Sequence, residues 1–294
     1  GQNAGLSGFP FWASDIGGYF GTPTDEVFIR WTQFGAFSPI MQVHGVGKRE
    51  PWAFSEKTLE IYRRYARLHM DLFPYIYSYA KIASETGLPI IRALPLEFTG
   101  DPKLWGDIAE HEYCFGSELF IAPVYSDVDK FRSAYIPKGN WRNFWDGTHV
   151  EGGQMQHLNS DIETIPVLAK CGALIPMLDP SPDTVLPVEV NHVKTAGNDL
   201  KLIVYPGQNG LFNLFDGTQF TWDENSATLT VSNSPCPRSV SIKIFDPAFP
   251  LDLNKIKAFD NNHNLQELTI GSLNGEPDFV RVTIQTNQKY SIKR

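Results

Sequence analysis

The stretch FPFWASDIGGYFGTPTDEVFIRWTQFGAFSPIMQVHG, Phe9–Gly45, decides the fold. Phe9–Ser14 is short, apolar and aromatic and runs into Asp15-Ile16-Gly17-Gly18-Tyr19, so it reads as a buried strand followed by a loop. Thr22-Pro23-Thr24-Asp25 then offers a hydroxyl for an N-cap, Pro for the first helical position and an acid for the third. Val27, Phe28, Trp31 and Phe34 recur at helical spacing, and the helix is predicted to end near Gly35. Phe37–Val43 is a second short apolar run, read as a strand that closes on His44-Gly45 and a polar loop through Lys48-Arg49-Glu50-Pro51-Trp52. From Ser55 to about Ser84, apolar positions such as Leu59, Tyr62, Leu72, Ile76 and Ala83 keep helical spacing; Pro74 is expected to bend this helix, and Gly87 and Pro89 to stop it. Strand, helix, strand, helix with short connections describes βαβ units, whose strands lie parallel and buried. Two such strands cannot bury both faces of a sheet, so residues 1–86 read as the last part of a larger barrel or open α/β domain.

Beyond Gly87 the chain changes to short β-type runs: Pro89–Leu96, Leu119–Val124, Ser133–Ile136, Asn143–Trp145 and Thr164–Leu168. Turn residues at Pro137-Lys138-Gly139-Asn140, Asp146-Gly147 and Gly152-Gly153 separate them, as in an antiparallel sandwich. A linker-like Asp179-Pro180-Ser181-Pro182-Asp183 follows, then further runs at Leu200–Tyr205, Gly210–Phe215, Ala227–Val231, Val240–Phe245 and Phe279–Ile284. The expected organisation is α/β plus all-β: 1–86 the end of a barrel, 87–178 a proximal β-sandwich, and 179–294 a distal β domain. No heptad, fixed-period repeat or low-complexity tract interrupts this order.

Composition excludes several function classes. A formal charge of −8, with no Lys/Arg run interleaved with aromatics, repels phosphate backbones, so no nucleic-acid partner is expected. The longest apolar stretches, such as Leu119–Val124, are strand-sized, and no membrane span is expected. Cys114, Cys171 and Cys236 lie far apart without metal-ligand spacing and read as small apolar residues. Gly-x-Ser-x-Gly, the P-loop and GxGxxG are all absent, which leaves a serine hydrolase, a P-loop NTPase or a dinucleotide enzyme without support. The chain opens Gly1-Gln2-Asn3 without a basic-then-apolar leader; the compartment stays open, with a lean to the cytoplasm.

In parallel α/β architectures the reactive face lies at the carboxyl ends of the strands. Asp15 and His44 both fall there. Asp15 also reads as a turn former or helix-cap acid, and His44 as a buried structural histidine; their shared placement at consecutive strand ends favours a site. Sugars present apolar ring faces and hydroxyl edges, which aromatic rings and carboxylate, imidazole or amide groups satisfy respectively. Trp12, Tyr19, Trp52, Asp15, Gln42 and His44 supply that mixture.

These residues carry a resemblance. SGFPFWASDIGGY (Ser7–Tyr19), RWTQFGAFSPIMQVHG (Arg30–Gly45), REPW (Arg49–Trp52), LFPYIYSYA (Leu72–Ala80), GLPIIRAL (Gly87–Leu94), ELFIAPV (Glu118–Val124), YIPKGNWRNFWDG (Tyr135–Gly147) and IPVLAKCGALIP (Ile165–Pro176) resemble, in order, glycoside hydrolase family 31. This is the family of α-glucosidases and α-xylosidases. VYPGQNGLFNLFDG, Val204–Gly217, is similar to its distal β domain. The resemblance implies the C-terminal part of a (β/α)8 TIM barrel, its seventh and eighth strand-helix units, followed by two β-sandwich-like domains. It implies that His44 hydrogen-bonds the sugar in the −1 subsite, that Tyr19 lines that subsite, and that Asp15 contacts substrate or supports it. Gln42 departs from the pattern, in which Arg commonly stands two residues before the histidine; an amide cannot pair a carboxylate as a guanidinium does. Members are retaining enzymes with a nucleophile and an acid/base aspartate about 5–5.5 Å apart. Both lie on barrel strands preceding the FPFW segment, so no catalytic aspartate is expected among these 294 residues. The implied partners are an α-linked oligosaccharide and the upstream barrel segment of the same protein, with no metal or organic cofactor. The alternative reading is a non-catalytic carbohydrate-binding or structural β-domain fragment, which exposed coplanar aromatics on one β face would favour. Phe212, Phe215, Phe220 and Trp222 read instead as core packing, so scaffold ranks above binding.

Overall fold

The computed structural model describes residues 1–125, 131–179, 181, 199–245, 257–260, 265–266, 269–273, 276–284 and 290–293. The linker-like segment at 179–183 lies mostly outside the described residues. The chain packs as two units, one of Gly1–His69, Tyr79–Asn143 and His149–Leu168, the other of Met70–Ser78, Phe144–Thr148 and Ala169–Arg294. This partition differs from the sequence division at 86 and 178.

Four helices open the chain: α1 (Gln2–Leu6), α2 (Asp25–Ala36), α3 (Glu56–Asp71) and α4 (Phe73–Thr86). Helix α2 occupies the expected span but is capped by Thr24 rather than Thr22, the Thr24 hydroxyl accepting from Val27 N at 3.3 Å. The cause lies in the preceding loop. A Cβ on Gly17 would sit 3.1 Å from Pro23 Cγ, so Pro23 packs on that loop and the helix starts just after it. Asp25 then reaches across to the start of α3, where its Oδ2 accepts from Ser55 N at 3.1 Å and from Thr58 Oγ1 at 2.6 Å. The Ser55 hydroxyl, which also donates to Oδ2, and the Thr58 hydroxyl hold its pKa below the ordinary value. The single bent helix expected from Ser55 to Ser84 is two helices, broken at Leu72. Pro74 lacks the N–H that would bond the carbonyl four residues back, and its ring crowds that carbonyl.

The strands expected at Phe9–Ser14 and Phe37–Val43 do not form ladders. One parallel bridge, Asp15 with Gln42, joins the two segments, with Ile16 N donating to Gln42 O at 3.1 Å. Phe9 is 64% and Phe11 49% exposed, whereas a barrel strand would bury both faces. A parallel strand is held by neighbours on both sides, and one bridge among the described residues does not supply them. Ile16, Phe28, Ala36 and Phe37 are nevertheless fully buried. Gly35 permits that packing, since a Cβ there would lie 2.9 Å from Ile16 Cδ1.

His69, in the last turn of α3, is half-buried, and its Nδ1–H donates to Ala36 O at 3.0 Å. Burial lowers its pKa below the ordinary value, so the neutral ring is the native form. Just below about pH 6.5 the unfolded chain binds a proton that the folded chain refuses, so stability falls as pH drops toward the folded-state pKa. Melting of the parent and of His69→Asn at about pH 7.5 and about pH 5.5 is expected to show a smaller acid-induced fall in Tm for the variant. Equal falls would refute a neutral, half-buried His69.

A six-stranded sheet follows in the order Ile91–Ala93, Tyr113–Phe115, Leu119–Ile121, Val167–Lys170, Asn140–Asn143 and His149–Glu151, beside a hairpin of Phe131–Ile136 with Gln154–Asn159. Trp141 is buried with Phe120 and Leu94, its Nε1 donating to Pro137 O at 2.9 Å. Strand boundaries shift here: the run expected at Leu119–Val124 ends at Ile121, and that at Thr164–Leu168 is Val167–Lys170. Pro89–Leu96 contributes only Ile91–Ala93 before a helical turn at Leu94–Glu97 with Pro95 near its start, and the strand expected at Asn143–Trp145 is Asn140–Asn143, ahead of the Asp146-Gly147 turn.

In the second unit, Leu200–Tyr205 lies at its predicted position between Ala173–Leu178, antiparallel, and Arg238–Ile244, parallel; Glu276–Ile284 and Thr269–Leu273 extend the sheet. Ala173–Leu178, which the sequence reading left in the proximal domain, thus pairs along its full length with the first strand of the expected distal domain. All six of its residues are buried, although it ends the five-stranded sheet. Gly210–Asn213, Gln219–Asp223, Thr228–Ser232 and Tyr290–Lys293 belong to a further six-stranded sheet. Among the described residues, no helix is long and apolar enough to cross a membrane.

Candidate functional site

The loops that leave the two parallel segments meet. Gln42 Nε2 donates to Asp15 Oδ1 at 2.6 Å, directly across the bridge that joins their backbones. The amide therefore occupies the position beside Asp15 where a guanidinium would give an ion pair. It orients the carboxylate by hydrogen bonding but adds no positive charge to offset it.

Further along the two segments, the Tyr19 ring lies 5.3 Å from the His44 ring, centroid to centroid, tilted by 54°, and Phe20 stands edge-on to Tyr19 at 4.7 Å. Tyr19, Phe20 and His44 are all exposed, so His44 is not the buried core histidine that the sequence also allowed. Val46 N donates to Tyr19 O at 2.7 Å. Gly45 makes the approach possible, because a Cβ there would fall 2.8 Å from Tyr19 O.

Trp12 does not join this group. Side chains alternate along an extended segment, so Trp12 and Ser14 share the face opposite Asp15. Trp12 packs on Phe34 of α2 at 5.9 Å, and Ser14 Oγ accepts from Trp31 Nε1 at 2.7 Å. With Arg30, His111 and Tyr125 these residues line a cavity of about 540 Å³ that Asp15, Tyr19, Gln42 and His44 do not border. The structure thus brings together two pairs, Asp15 with Gln42 and Tyr19 with His44, and sets Trp12 apart.

Sequence reading gave no role to Arg49, which the structure buries between exposed Lys48 and Glu50. Its Nε donates to Gly18 O at 2.9 Å, its Nη2 to Gly21 O at 2.7 Å and its Nη1 to Lys48 O at 3.0 Å. A single arginine in a polar loop has no periodicity to mark it, so only the close spacing of Gly17, Gly18 and Gly21 hinted that a donor would be needed to hold that loop. Among the described residues, no cluster of His, Cys, Asp and Glu is arranged to hold a metal ion.

Comparison with known proteins gives a consistent answer. Residues 1–79 match the family model of the glycosyl hydrolases family 31 TIM-barrel domain, and residues 87–175 that of the glycosyl hydrolase family 31 C-terminal domain. An α-xylosidase of Saccharolobus solfataricus is 34% identical over 265 residues, covering 83% of this chain and 35% of the relative. Alpha-glucosidase 2 of Bacillus thermoamyloliquefaciens is 35% identical over 222 residues, covering 74% of this chain and 28% of the relative. The structure of a Flavobacterium johnsoniae dextranase complexed with glucose superposes with a TM-score of 0.82 at 28% identity, over 100% of this chain and 41% of that one. The chain spans about a third of the length of these two relatives.

Proposed function

Since the chain belongs to glycoside hydrolase family 31, comprising the end of its TIM barrel and the C-terminal β domains, we propose that the whole protein is a retaining α-glycosidase. It removes terminal α-linked glucosyl or related sugars from oligosaccharides. These residues contribute substrate contacts and scaffold, and the nucleophile and acid/base aspartates belong to the upstream barrel segment. The observation that carries the reading is the placing of a carboxylate, an amide, an imidazole and an aromatic ring on two adjoining loops after parallel segments.

Each group has work to do there. The Asp15 carboxylate accepts from sugar hydroxyls, and the His44 imidazole donates to one. The Tyr19 ring covers an apolar ring face. As the glycosidic bond breaks, positive charge grows on the anomeric carbon and ring oxygen, and an Asp15 carboxylate without a cationic partner at Gln42 stabilises it more than an ion-paired one would. Two carboxylates and a positioned water suffice for the reaction, which calls for no metal or organic cofactor. In the distal sheets Phe212, Phe220 and Trp222 are buried, and Phe212 stacks on Tyr75 at 5.7 Å, which supports a scaffolding role for these aromatics over a glycan-binding platform.

The test is the stereochemistry of the product. The full-length protein is offered a panel of α-glucosides and α-xylosides while proton NMR follows the first sugar released. The α-anomer is expected before mutarotation. First release of the β-anomer, or no hydrolysis of any α-linked substrate, would overturn the proposal.

A further inference from the structure

The loop that carries Tyr19 is built from residues that resist being fixed. Gly17, Gly18 and Gly21 have φ of +82°, +80° and +80°, a region open to glycine at little cost, and glycine loses more backbone freedom on ordering than any other residue. Yet this loop presents two exposed aromatic rings at set angles. Its carbonyls explain how. Gly18 O accepts from Arg49 Nε, Tyr19 O from Val46 N and Gly21 O from Arg49 Nη2, so three carbonyl oxygens that bracket Tyr19 and Phe20 are all held by residues 46–49.

We infer that Arg49 is a positioning residue for the proposed glycoside hydrolysis: its planar fork fastens the Gly18–Gly21 loop at two points and so sets Tyr19 against His44. The inference rests on the reading of Tyr19 and His44 as sugar contacts. A guanidinium suits the task because two of its nitrogens diverge toward two separate carbonyls, whereas an ammonium is a point donor. Arg49 is only 4% exposed, and its donors go to main-chain oxygens rather than to a carboxylate, so what it supplies is the direction of its hydrogen bonds. It acts through the loop and need not touch the substrate.

The experiment is a double-mutant cycle in the full-length protein, with Arg49→Lys, Tyr19→Ala and their combination, reading kcat, KM and Tm with a nitrophenyl α-glycoside. Lysine keeps the charge and one donor but cannot reach both carbonyls. Arg49→Lys is expected to lower kcat about 10–100-fold, as for a displacement on the order of 1 Å at a reacting centre, while melting within a few degrees of the parent. In the Tyr19→Ala background the same change is expected to cost no more than about 3-fold, because the ring it positions is gone. If the two losses multiply, or Arg49→Lys lowers Tm while each folded molecule turns over at the parent rate, Arg49 is a structural residue only and the sugar-site reading still stands. If Tyr19→Ala and His44→Ala both leave kcat and KM unchanged, the sugar-site reading fails and this inference with it. Should Arg49→Lys not fold, Arg49→Gln, which also retains one donor group, is read by the same cycle.

Discussion

Residues 1–294 mixed with a nitrophenyl α-glucoside or α-xyloside are expected to release no nitrophenol above the uncatalysed rate. Retaining hydrolysis needs a nucleophilic carboxylate and a second carboxyl group that gives and takes a proton, about 5–5.5 Å apart. Of the four side chains the structure pairs at the site, only Asp15 is a carboxylate, and Gln42 holds one of its oxygens at 2.6 Å. His44 packs against Tyr19 and cannot serve as nucleophile and acid at once. General acid–base catalysis alone is worth about 10²–10⁴-fold, and loss of the covalent step adds to that, so the combined deficit takes turnover below detection. Activity that copurifies with this segment, scales with its concentration and disappears in Asp15→Asn would contradict the assignment of the carboxylates to the upstream barrel.

The second large effect concerns His44 in the full-length protein. Its exposed position beside Tyr19 suits a hydrogen bond to a sugar hydroxyl, and such a bond strengthens as the ring distorts and charge develops. His44→Ala is expected to lower kcat/KM by about 10²–10³-fold, or roughly 3–4 kcal/mol, with most of the loss in kcat. Because His44 is exposed, Tm should stay within a few degrees. A variant that melts much lower but turns over at the parent rate per folded molecule would remove His44 from the −1 subsite.

Local sequence is a good guide where local interactions decide the outcome. Helix α2 and the strand Leu200–Tyr205 lie where the sequence puts them, since one is amphipathic with a capping residue and the other is apolar at every position but Lys201. Non-local pairing was the difficulty. Phe9–Ser14 has the composition of a barrel strand, but a strand is a relation between neighbours, and its β-bridge falls just beyond it, at Asp15. Ala173–Leu178 is apolar throughout, so nothing in it states which sheet it enters. At the candidate site, Asp15 and His44 stand out in the sequence because chemistry collects at strand ends, and the structure sets Gln42 beside the first and Tyr19 beside the second. The parity of Trp12 relative to Asp15 was also written in the sequence, and it puts the indole on the opposite face. Arg49 was hidden, because its partners are backbone oxygens and leave no trace in side-chain identity.

The pairing of Ala173–Leu178 with Leu200–Tyr205 sets where family members can be recombined. A chimaera that takes the distal β domain from a relative with its junction at residue 178 would marry a foreign central strand to a native neighbour along six paired positions. Mismatched side chains there would open the sheet and bare an edge able to recruit other chains. A crossover at the Cys171-Gly172 turn keeps both strands from one parent and leaves Val167–Lys170 whole, so hybrids should be cut there even though the linker-like composition invites a cut near 180.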